Sequence, residues 1–347
     1  MMEPKQDDVA DRGKLVQLAC GHMAAQAVAA GVRLGLVDLI GDSQRRAADL
    51  ARECGADPQA TTRLLRALAA LELLVENRPG SFSLTPAGAL LRTDRPDSLH
   101  SLVRMVTCPA TMRSWDGLAD SVRTGKTSFD AVFGTDFFSY LKENPELSAE
   151  FNAAMGQGTH ATIADILSHY DFGGFATVVD VGGGDGTLLA AILRKHSSLR
   201  GILFDTPEGL GRAGESLGRE GVEDRCALDA GDFFDSVPDG GDLYLLKNVV
   251  HDWDDGRATV ILRNCRRAVP ESGRVLLVEV VLPATVASST GPINYLSDLD
   301  MLVNLGGRER TRADFEDLCR LAGLTLTRIL PLPPPSPFSL IEAAPAG

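Results

Sequence analysis

The chain has 347 residues, of which 44% are hydrophobic and 23% are charged, and its formal net charge is −13 at pH 7. This length suits two domains or one large one, and the apolar fraction is too high for a globally disordered chain. The excess of acidic residues argues against extensive binding to nucleic acids or to anionic membranes.

The cysteines and the N-terminal segment indicate a reducing, cytoplasmic location. The six cysteines form no Cys-x-x-Cys pair and are too sparse for a disulfide scaffold. Residues 1–14 are polar, so no signal peptide is expected. No run of about 18 apolar residues occurs, so no membrane span is predicted.

The first third of the chain is predicted to form helices and then a small hairpin. Apolar residues recur at helical spacing in 15–40, and two further helices are predicted at 47–54 and from Asp57 to residue 74. Short strands at 73–75 and 81–84 flank a turn, and Thr85 with Pro86 begins one more helix. This order of elements is that of a winged helix.

A winged helix raises the alternative of a DNA-binding regulator. The candidate recognition helix, 59–74, offers only Arg63 and Arg66 as basic groups. Segment 45–95 holds 8 basic and 6 acidic residues, a balance that does not suit a phosphate-binding surface. We therefore predict that this segment packs or dimerises, and that the protein binds no nucleic acid.

The remainder of the chain is predicted to form an α/β domain after a helical connector at 110–170. From residue 177, short apolar runs alternate with helical segments, which predicts a parallel sheet covered on both faces. The predicted strands are 177–181, 201–204, 227–230, 243–249 and 274–280. The last two strands, 324–330 and 338–341, follow each other through a proline-rich turn and should form an antiparallel edge hairpin.

A glycine-rich turn at 182–186, between a predicted strand and a helix, indicates a ligand site. Glycine lets the backbone approach a ligand closely and adopt positive φ. No Gly-Lys-Ser/Thr follows, which excludes a P-loop. Asp180 and Asp185 would repel a pyrophosphate, so a neutral or cationic ligand is favoured over NAD and an NAD-dependent dehydrogenase is a weak alternative.

Acidic residues end the next two predicted strands. Asp205 lies 23 residues after Gly182, close to the position at which Rossmann-like folds bind ribose hydroxyls. Asp232 is followed by Phe233, a pair suited to an exocyclic amine and a purine ring. A helix N-cap at Asp205 and a plain loop at Asp232 are the alternatives.

His251 closes the fourth predicted strand, at the edge where open α/β sheets bind ligands. Asp252, Asp254 and Asp255 follow it in the sequence. We expect these carboxylates to hold the imidazole in one tautomer and to stabilise its charged form. This setting predicts a catalytic histidine rather than a structural one.

These motifs resemble those of class I S-adenosylmethionine (SAM)-dependent small-molecule O-methyltransferases, especially the plant caffeic-acid and bacterial polyketide or antibiotic branches. The matching segments are 182–186, Asp205, 231–233, 251–255 and 307–311. The resemblance covers nearly the whole chain from about residue 15. It implies a winged-helix dimerisation domain at 13–105, a helical connector at 106–170 that contributes to the acceptor pocket, and a Rossmann-like SAM-binding domain at 171–347.

The resemblance also implies roles for individual residues. His251 would be the general base, positioned by Glu279 and Glu309. The residues implied to hold SAM are Asp180, Gly182, Gly184, Asp205, Asp232, Phe233, Lys247 and Trp253. The residues implied to line the acceptor pocket are Phe151, Met155, Asp252, Met301 and Asn304. The implied partners are an aromatic acceptor and a second copy of the chain.

The expected chemistry is proton removal from a hydroxyl during methyl transfer. A phenol has a pKa near ~10, and a neutral imidazole with a pKa near ~6.5 can take its proton. No metal is expected, because the His and Cys residues show no ligand spacing. SAM-binding hydroxylases or decarboxylases of the same fold are the alternative. The aromatic residues of the connector could wall the acceptor or form core; these are Phe129, Phe133, Phe137, Phe138, Tyr140 and Phe151.

Overall fold

The computed structural model describes residues 6–287 and 290–347, and the chain divides into two compact units between Pro109 and Ala110. The connector predicted at 106–170 is therefore not a separate unit. All but its first four residues lie in the second unit, together with the predicted SAM-binding domain.

The first unit consists of helices and a three-stranded sheet. Its elements are α1 (Gln6–Ala19), α2 (Gly21–Arg33), α3 (Leu36–Ile40), β1 (Arg45–Arg46), α4 (Ala47–Glu53), α5 (Pro58–Ala70), β2 (Leu74–Arg78), β3 (Ser81–Leu84), α6 (Pro86–Ala89) and α7 (His100–Val106). The strand order is β1-β3-β2, with antiparallel pairing throughout. The side chain of Asp57 caps α5 by accepting from the Ala60 amide at 2.8 Å, and Thr85 caps α6 by accepting from the Gly88 amide at 3.0 Å.

The core of the first unit is apolar, and its candidate recognition helix α5 contributes to it. Leu65 of α5 and Phe82 of β3 are both fully buried. On the exposed side, Arg66 forms an ion pair with Glu76 at 3.0 Å, so one of the two basic groups of α5 is neutralised. No single helix among the described residues is long and apolar enough to cross a membrane, although the bent pair 11–19 and 21–33 passes by length and composition alone.

The second unit contains the larger sheet and most of the helices. Its helices are α8 (Pro109–Trp115), α9 (Leu118–Thr124), α10 (Ser128–Phe133), α11 (Phe137–Glu143), α12 (Pro145–His160), α13 (Ile163–His169), α14 (Thr187–Lys195), α15 (Ala213–Arg219), α16 (Asp255–Ala268), α17 (Pro292–Asp300) and α18 (Arg312–Ala322). Its strands are β4 (Thr177–Val181), β5 (Arg200–Asp205), β6 (Cys226–Ala230), β7 (Leu243–Lys247), β8 (Arg274–Leu282), β9 (Arg310–Thr311), β10 (Leu324–Pro331) and β11 (Phe338–Pro345).

The sheet has the order β10-β11-β8-β7-β4-β5-β6, and β9 pairs with the end of β8. The strands from β8 to β6 are parallel, whereas β11 is antiparallel to both β8 and β10, which confirms the predicted edge hairpin. The chain builds the sheet outward from β4 in one direction and then returns to add β7 on its other side. Ligands bind at such switch points, beyond the carboxyl ends of the strands.

The two faces of this sheet are buried by separate groups of helices. Val179 and Val181 of β4 pack in the same apolar cluster as Ile261 of α16 and Phe315 of α18. Val178, which points to the opposite face, packs in the cluster of α14. Because β4 is covered on both sides, its carboxyl end is a fixed platform for the glycine turn.

Candidate active site

The turn after β4 needs glycine for two reasons, namely its backbone conformation and the lack of room for a side chain. Gly182 and Gly184 have φ values of 71° and 58°, in the left-handed region that side chains disfavour. A Cβ atom at Gly183 would lie 2.4 Å from Leu203 Cδ1 and 2.7 Å from Asp180 Cγ. The turn therefore presents backbone without side chains at the switch point of the sheet.

Asp205, at the end of β5, braces this turn. Its Oδ2 accepts a hydrogen bond from the Gly184 amide at 2.8 Å, and its Oδ1 accepts one from the Thr206 amide at 2.6 Å. Burial raises the pKa of Asp205, opposed by these two hydrogen bonds. The same carboxylate thus fixes the glycine turn and stands next to the space above it.

The buried acid Asp180 and the partly buried amine Lys247 interact electrostatically near the turn. Asp180 is 2% exposed, and its Oδ2 has no hydrogen-bond partner among the described residues. Burial, followed by the nearby charge of Asp205, raises the pKa of Asp180 to about 7. Burial lowers the pKa of Lys247 to about 8 against the attraction of Glu279 and Asp180. This part of the site is acidic overall and suits a cationic ligand.

Aromatic rings stand beside the ends of β6 and β7. Asp232 is exposed, and its Oδ1 accepts from the Phe234 amide at 2.8 Å. The ring of Phe233 meets Trp253 edge-on, with centroids 6.0 Å apart. The guanidinium of Arg257 lies 4.1 Å from the centre of Trp253, whose indole Nε1 is buried without a partner among the described atoms.

His251 lies in a short 3₁₀ turn after β7 and faces three carboxylates. Its Nδ1 is 3.1 Å from Glu309 Oε1 and 3.9 Å from Glu279 Oε2, while its Nε2 is 3.3 Å from Asp252 Oδ1. The His251 side chain is 14% exposed, and that of Glu279 is fully buried. The structure therefore brings together the predicted base and the two acids that the resemblance assigned to it.

The carboxylates control the charge of the imidazole. Burial lowers the pKa of His251, but the negative charges of Glu279, Asp252 and Glu309 outweigh it and raise that pKa to about 10. Burial raises the pKa of Asp252 to about 7 despite the neighbouring imidazole. The expected pKa near ~6.5 is that of an isolated imidazole and does not hold for this site.

Two of the acids expected to hold His251 do other work, which corrects that prediction. Asp254 caps α16 by accepting from the Arg257 amide at 3.0 Å. Asp255 forms ion pairs at 2.9 Å with Arg308 and Arg310. Neighbours in a turn point in different directions, so only Asp252 of the three faces the ring.

Glu279 of β8 fixes the backbone of the turn that carries His251. Glu279 Oε1, on β8, accepts from the amides of Val249 and Val250, both at 3.0 Å. Asn248 precedes these amides with a φ of 53°, which is unusual for a residue other than glycine. Glu279 therefore acts on the backbone of the turn as well as on the charge of the imidazole.

The sequence argument missed two residues that hold this turn from the other side. Arg310 is 1% exposed and donates to the carbonyl oxygens of Val250 and Trp253, both at 2.7 Å. A Cβ atom at Gly307 would lie 2.0 Å from the carbonyl oxygen of His251. Both belong to the motif 307–311, in which only Glu309 was assigned a role, and backbone contacts of this kind leave no periodic signal.

The connector aromatics divide between core and site. Phe129 is fully buried among neighbouring rings. Phe138 stacks on Trp253 with centroids 5.3 Å apart and also meets Phe151 edge-on at 6.2 Å. Met155 lies one turn beyond Phe151 on α12 and is partly exposed. Phe129 is thus core, whereas Phe138 and Phe151 are only partly buried.

Two further predicted pocket residues lie in a π-helical turn that follows α17. Met301 is 8% exposed and Asn304 is 3% exposed. The Asn304 amide donates to Asp300 Oδ1 at 2.8 Å and its oxygen accepts from the Ser114 hydroxyl. Because both ends of its amide are bonded within the protein, Asn304 acts on the site through Asp300.

Comparisons with known proteins place both units of the chain in one family. The family model of the O-methyltransferase domain matches residues 115–325, and that of the O-methyltransferase dimerisation domain matches residues 16–94. O-demethylpuromycin-O-methyltransferase of Streptomyces alboniger is 49% identical over 335 residues, covering 96% of this chain and 89% of that protein. Phenazine O-methyltransferase of Lysobacter antibioticus is 41% identical and covers 95% of each chain.

A solved relative carries ligands in its structure. The O-methyltransferase NcsB1 from neocarzinostatin biosynthesis was crystallised with SAM and 2-hydroxy-5-methyl naphthoic acid. It is 33% identical to this chain, with a TM-score of 0.79, and the match covers 92% of this chain and 95% of that one. The similarity therefore extends over both units and includes a protein that binds a methyl donor with an aromatic hydroxy acid.

Proposed function

Because the chain belongs to the SAM-dependent O-methyltransferase family, we propose that it methylates a phenolic hydroxyl of an aromatic natural product, with His251 as the general base. The observation that carries this proposal is the imidazole at the end of β7. Its Nδ1 is turned to Glu309 at 3.1 Å, which leaves the Nε2 side, beside Asp252, for the acceptor.

The residues around the glycine turn fit SAM, which supplies a methyl group attached to a sulfonium cation. The turn offers backbone without side chains, and the buried carboxylate of Asp180 below it has an unpartnered oxygen. We assign Asp205 to the ribose hydroxyls and Asp232 to the adenine amine. The remaining contacts are assigned to Gly182, Gly184, Phe233, Lys247 and Trp253.

His251 removes the proton of the acceptor hydroxyl at Nε2. Once the ring is neutral, the hydrogen bond that Nδ1 donates to Glu309 leaves the free lone pair on Nε2. A phenol has a pKa near ~10, close to the raised value of His251, so the proton moves between groups of similar basicity. Glu279, Asp252 and Glu309 then stabilise the imidazolium that forms.

Alignment of the acceptor with the methyl donor supplies the rest of the rate enhancement. The acceptor oxygen must be held in line with the methyl group at about 3 Å. Phe138 and Phe151 offer ring faces for an aromatic acceptor, and Met155 and Met301 offer adaptable apolar surface. The named relatives act on aromatic molecules, and we extend that acceptor class to this protein.

The pH dependence of the rate should change when Glu309 becomes glutamine. His251 and the phenol together must lose one proton to solution before the methyl group is transferred. Because the pKa of His251 is raised, the wild-type rate should still be rising at pH values well above the ordinary pKa range of histidine. Glu309→Gln removes a negative charge 3.1 Å from Nδ1, which lowers the pKa of His251. The rising limb of kcat against pH should move to lower pH, with a smaller loss of maximal rate than in His251→Ala. An unchanged limb at wild-type rate would remove Glu309 from the site.

The first unit should hold two copies of the chain together. Leu15, Val16 and Leu18 of α1 and Met23 of α2 are 60–68% exposed, more apolar surface than a monomer usually shows on adjacent helical turns. We expect sedimentation as a dimer of the 36.9 kDa chain at micromolar concentration, weakened by Leu15→Glu with Leu18→Glu. A wild-type chain that sediments as a monomer would contradict this role.

We also propose that the protein works in the cytoplasm. Cys265 and Cys319 are free thiols that are buried in the core of the second unit. Burial raises the pKa of both thiols to about 12, which keeps them unreactive and suits a reducing compartment.

Transfer of isotope-labelled methyl from SAM into pooled phenols tests the function. We expect labelled methyl ethers and an equal amount of S-adenosylhomocysteine. The donor atoms of His251, Glu279 and Glu309 lie within 4.8 Å of one another, so the assay is repeated with EDTA, which should leave the rate unchanged. Oxygen consumption without S-adenosylhomocysteine would instead support the hydroxylase alternative.

A further inference from the structure

One face of α17 and the turn after it points toward the catalytic carboxylates. The Ser297 hydroxyl donates to Glu309 Oε1 at 3.0 Å, and Glu309 contacts His251. Asp300 follows Ser297 by three residues and therefore lies on the same face of the helix. Burial raises the pKa of both Asp300 and Asp252, and the charge of His251 opposes the rise in both. Asp300 adds to the rise in the pKa of Asp252, so the three groups lie within electrostatic reach of one another.

The Asp300 carboxylate is held in place by one oxygen and presents the other. Its Oδ1 accepts from Trp115 Nε1 at 2.7 Å and from Asn304 Nδ2 at 2.8 Å. Among the described residues, the hydrogen bonds to Asp300 both go to Oδ1, and none goes to Oδ2. Two neutral donors thus orient a carboxylate whose charge is not neutralised.

We propose that Asp300 is a specificity-determining residue that binds an amino group on the aromatic acceptor. This inference rests on the proposed function and narrows its substrate class to aminophenol-type molecules. An ammonium or amine donates to a carboxylate in a charge-assisted bond, the strongest kind of hydrogen bond available here. A phenol that lacks this group leaves a partly buried carboxylate desolvated and unpaired, which costs affinity.

The cost of leaving the Asp300 carboxylate unpaired sets the size of the preference for amino acceptors. Sites built around a hydrogen bond reject analogues that lack the partner by up to about 10⁴-fold, far more than apolar pockets reject a missing methylene. Asp300 is only partly buried and is fixed in one position, so we expect a kcat/KM ratio of at least about tenfold in favour of the amino member of the matched pair whose amino group reaches Oδ2.

The experiment compares matched acceptors in the full-length enzyme. The panel pairs tyramine with 4-ethylphenol, 2-aminophenol with phenol, and 3-amino-4-hydroxybenzoate with 4-hydroxybenzoate. Asp300→Asn keeps an oxygen for Trp115 and Asn304 but replaces the other oxygen with a donor. Asp317→Asn removes the same charge from an exposed pair with Arg320 on α18 and serves as the control.

The expected result is a preference for amino acceptors in the wild type and in Asp317→Asn that falls to about one in Asp300→Asn. Turnover of the unsubstituted phenols by the same variant is the reference against which the loss for the amino acceptors is measured. The methyl group must be located on oxygen by mass spectrometric fragmentation. An unchanged preference in Asp300→Asn, an equal loss for both members of each pair, or methylation confined to phenols without amino groups would overturn this inference and leave the proposed function intact. The absence of any methyl transfer across the whole panel would contradict both.

Discussion

Replacing His251 with alanine should lower kcat by about 10³-fold, within the ~10²- to 10⁴-fold range typical of a general base. The affinity for SAM should stay close to that of the wild type, because the imidazole contacts Glu309 and Asp252 rather than the glycine turn. Single-turnover transfer of labelled methyl gives the rate, and calorimetric titration gives the affinity.

An exposed histidine serves as the matched control for this variant. His169 lies at the C-terminal end of α13 and is exposed, so His169→Ala should keep wild-type kcat. If His251→Ala instead weakened SAM binding by about tenfold or more, equal to ~1.4 kcal/mol, His251 would be a structural residue.

Gly307→Ala should reduce kcat by about 100-fold, since a misplacement of about 1 Å has that effect on an aligned reaction. The added Cβ atom would lie 2.0 Å from the carbonyl oxygen of His251 and 2.4 Å from the carbonyl carbon of Asp252. Both are backbone atoms, so the overlap is relieved only by moving the turn that carries the base. SAM binding should weaken less than kcat falls, because Gly307 does not touch the glycine turn, although its Cβ atom would also lie 2.6 Å from the amide nitrogen of Trp253.

A control variant at a second glycine shows whether the loss of activity comes from the steric overlap or from replacing glycine as such. Gly291 is the N-cap residue directly before α17 and has an ordinary φ of −61°, and the nearest atom to its Cβ position is 3.8 Å away. Gly291→Ala should therefore retain wild-type kcat. Melting followed by circular dichroism shows whether Gly307→Ala is folded, and a folded Gly307→Ala with full activity would refute the close-packing argument.

The sheet and the ends of its strands were predictable because their signals are local. The run 177–181 has the predicted bounds, and the glycine turn and His251 follow apolar strands whose ends the sequence marks. The first helices were predicted less well, since 15–40 comprises parts of three helices. The apolar periodicity continues across the breaks between these helices, so the sequence pattern does not mark them. The φ of 65° at Gly35 shows why the chain breaks between α2 and α3.

The electrostatic part of the site was less predictable because it depends on residues distant in sequence. Glu309 lies 58 residues from His251, and only the family resemblance pointed to it and to Glu279. Reasoning from neighbours selected Asp254 and Asp255, which serve a helix cap and two arginines instead. The raised pKa of His251 follows from the charges of three carboxylates, which outweigh the opposite effect of burial and which no local pattern encodes.

The most direct test of His251 as the general base compares the rates of the wild type and of His251→Ala with acceptors of different acidity. Methyl transfer is measured at one pH with ring-substituted phenols that range from un-ionised to fully ionised in solution. If His251 removes the proton, the ratio should be largest for un-ionised phenols and fall toward one for those that arrive as phenolates. A ratio that stays constant across the series would show that His251 positions the acceptor without acting as its base.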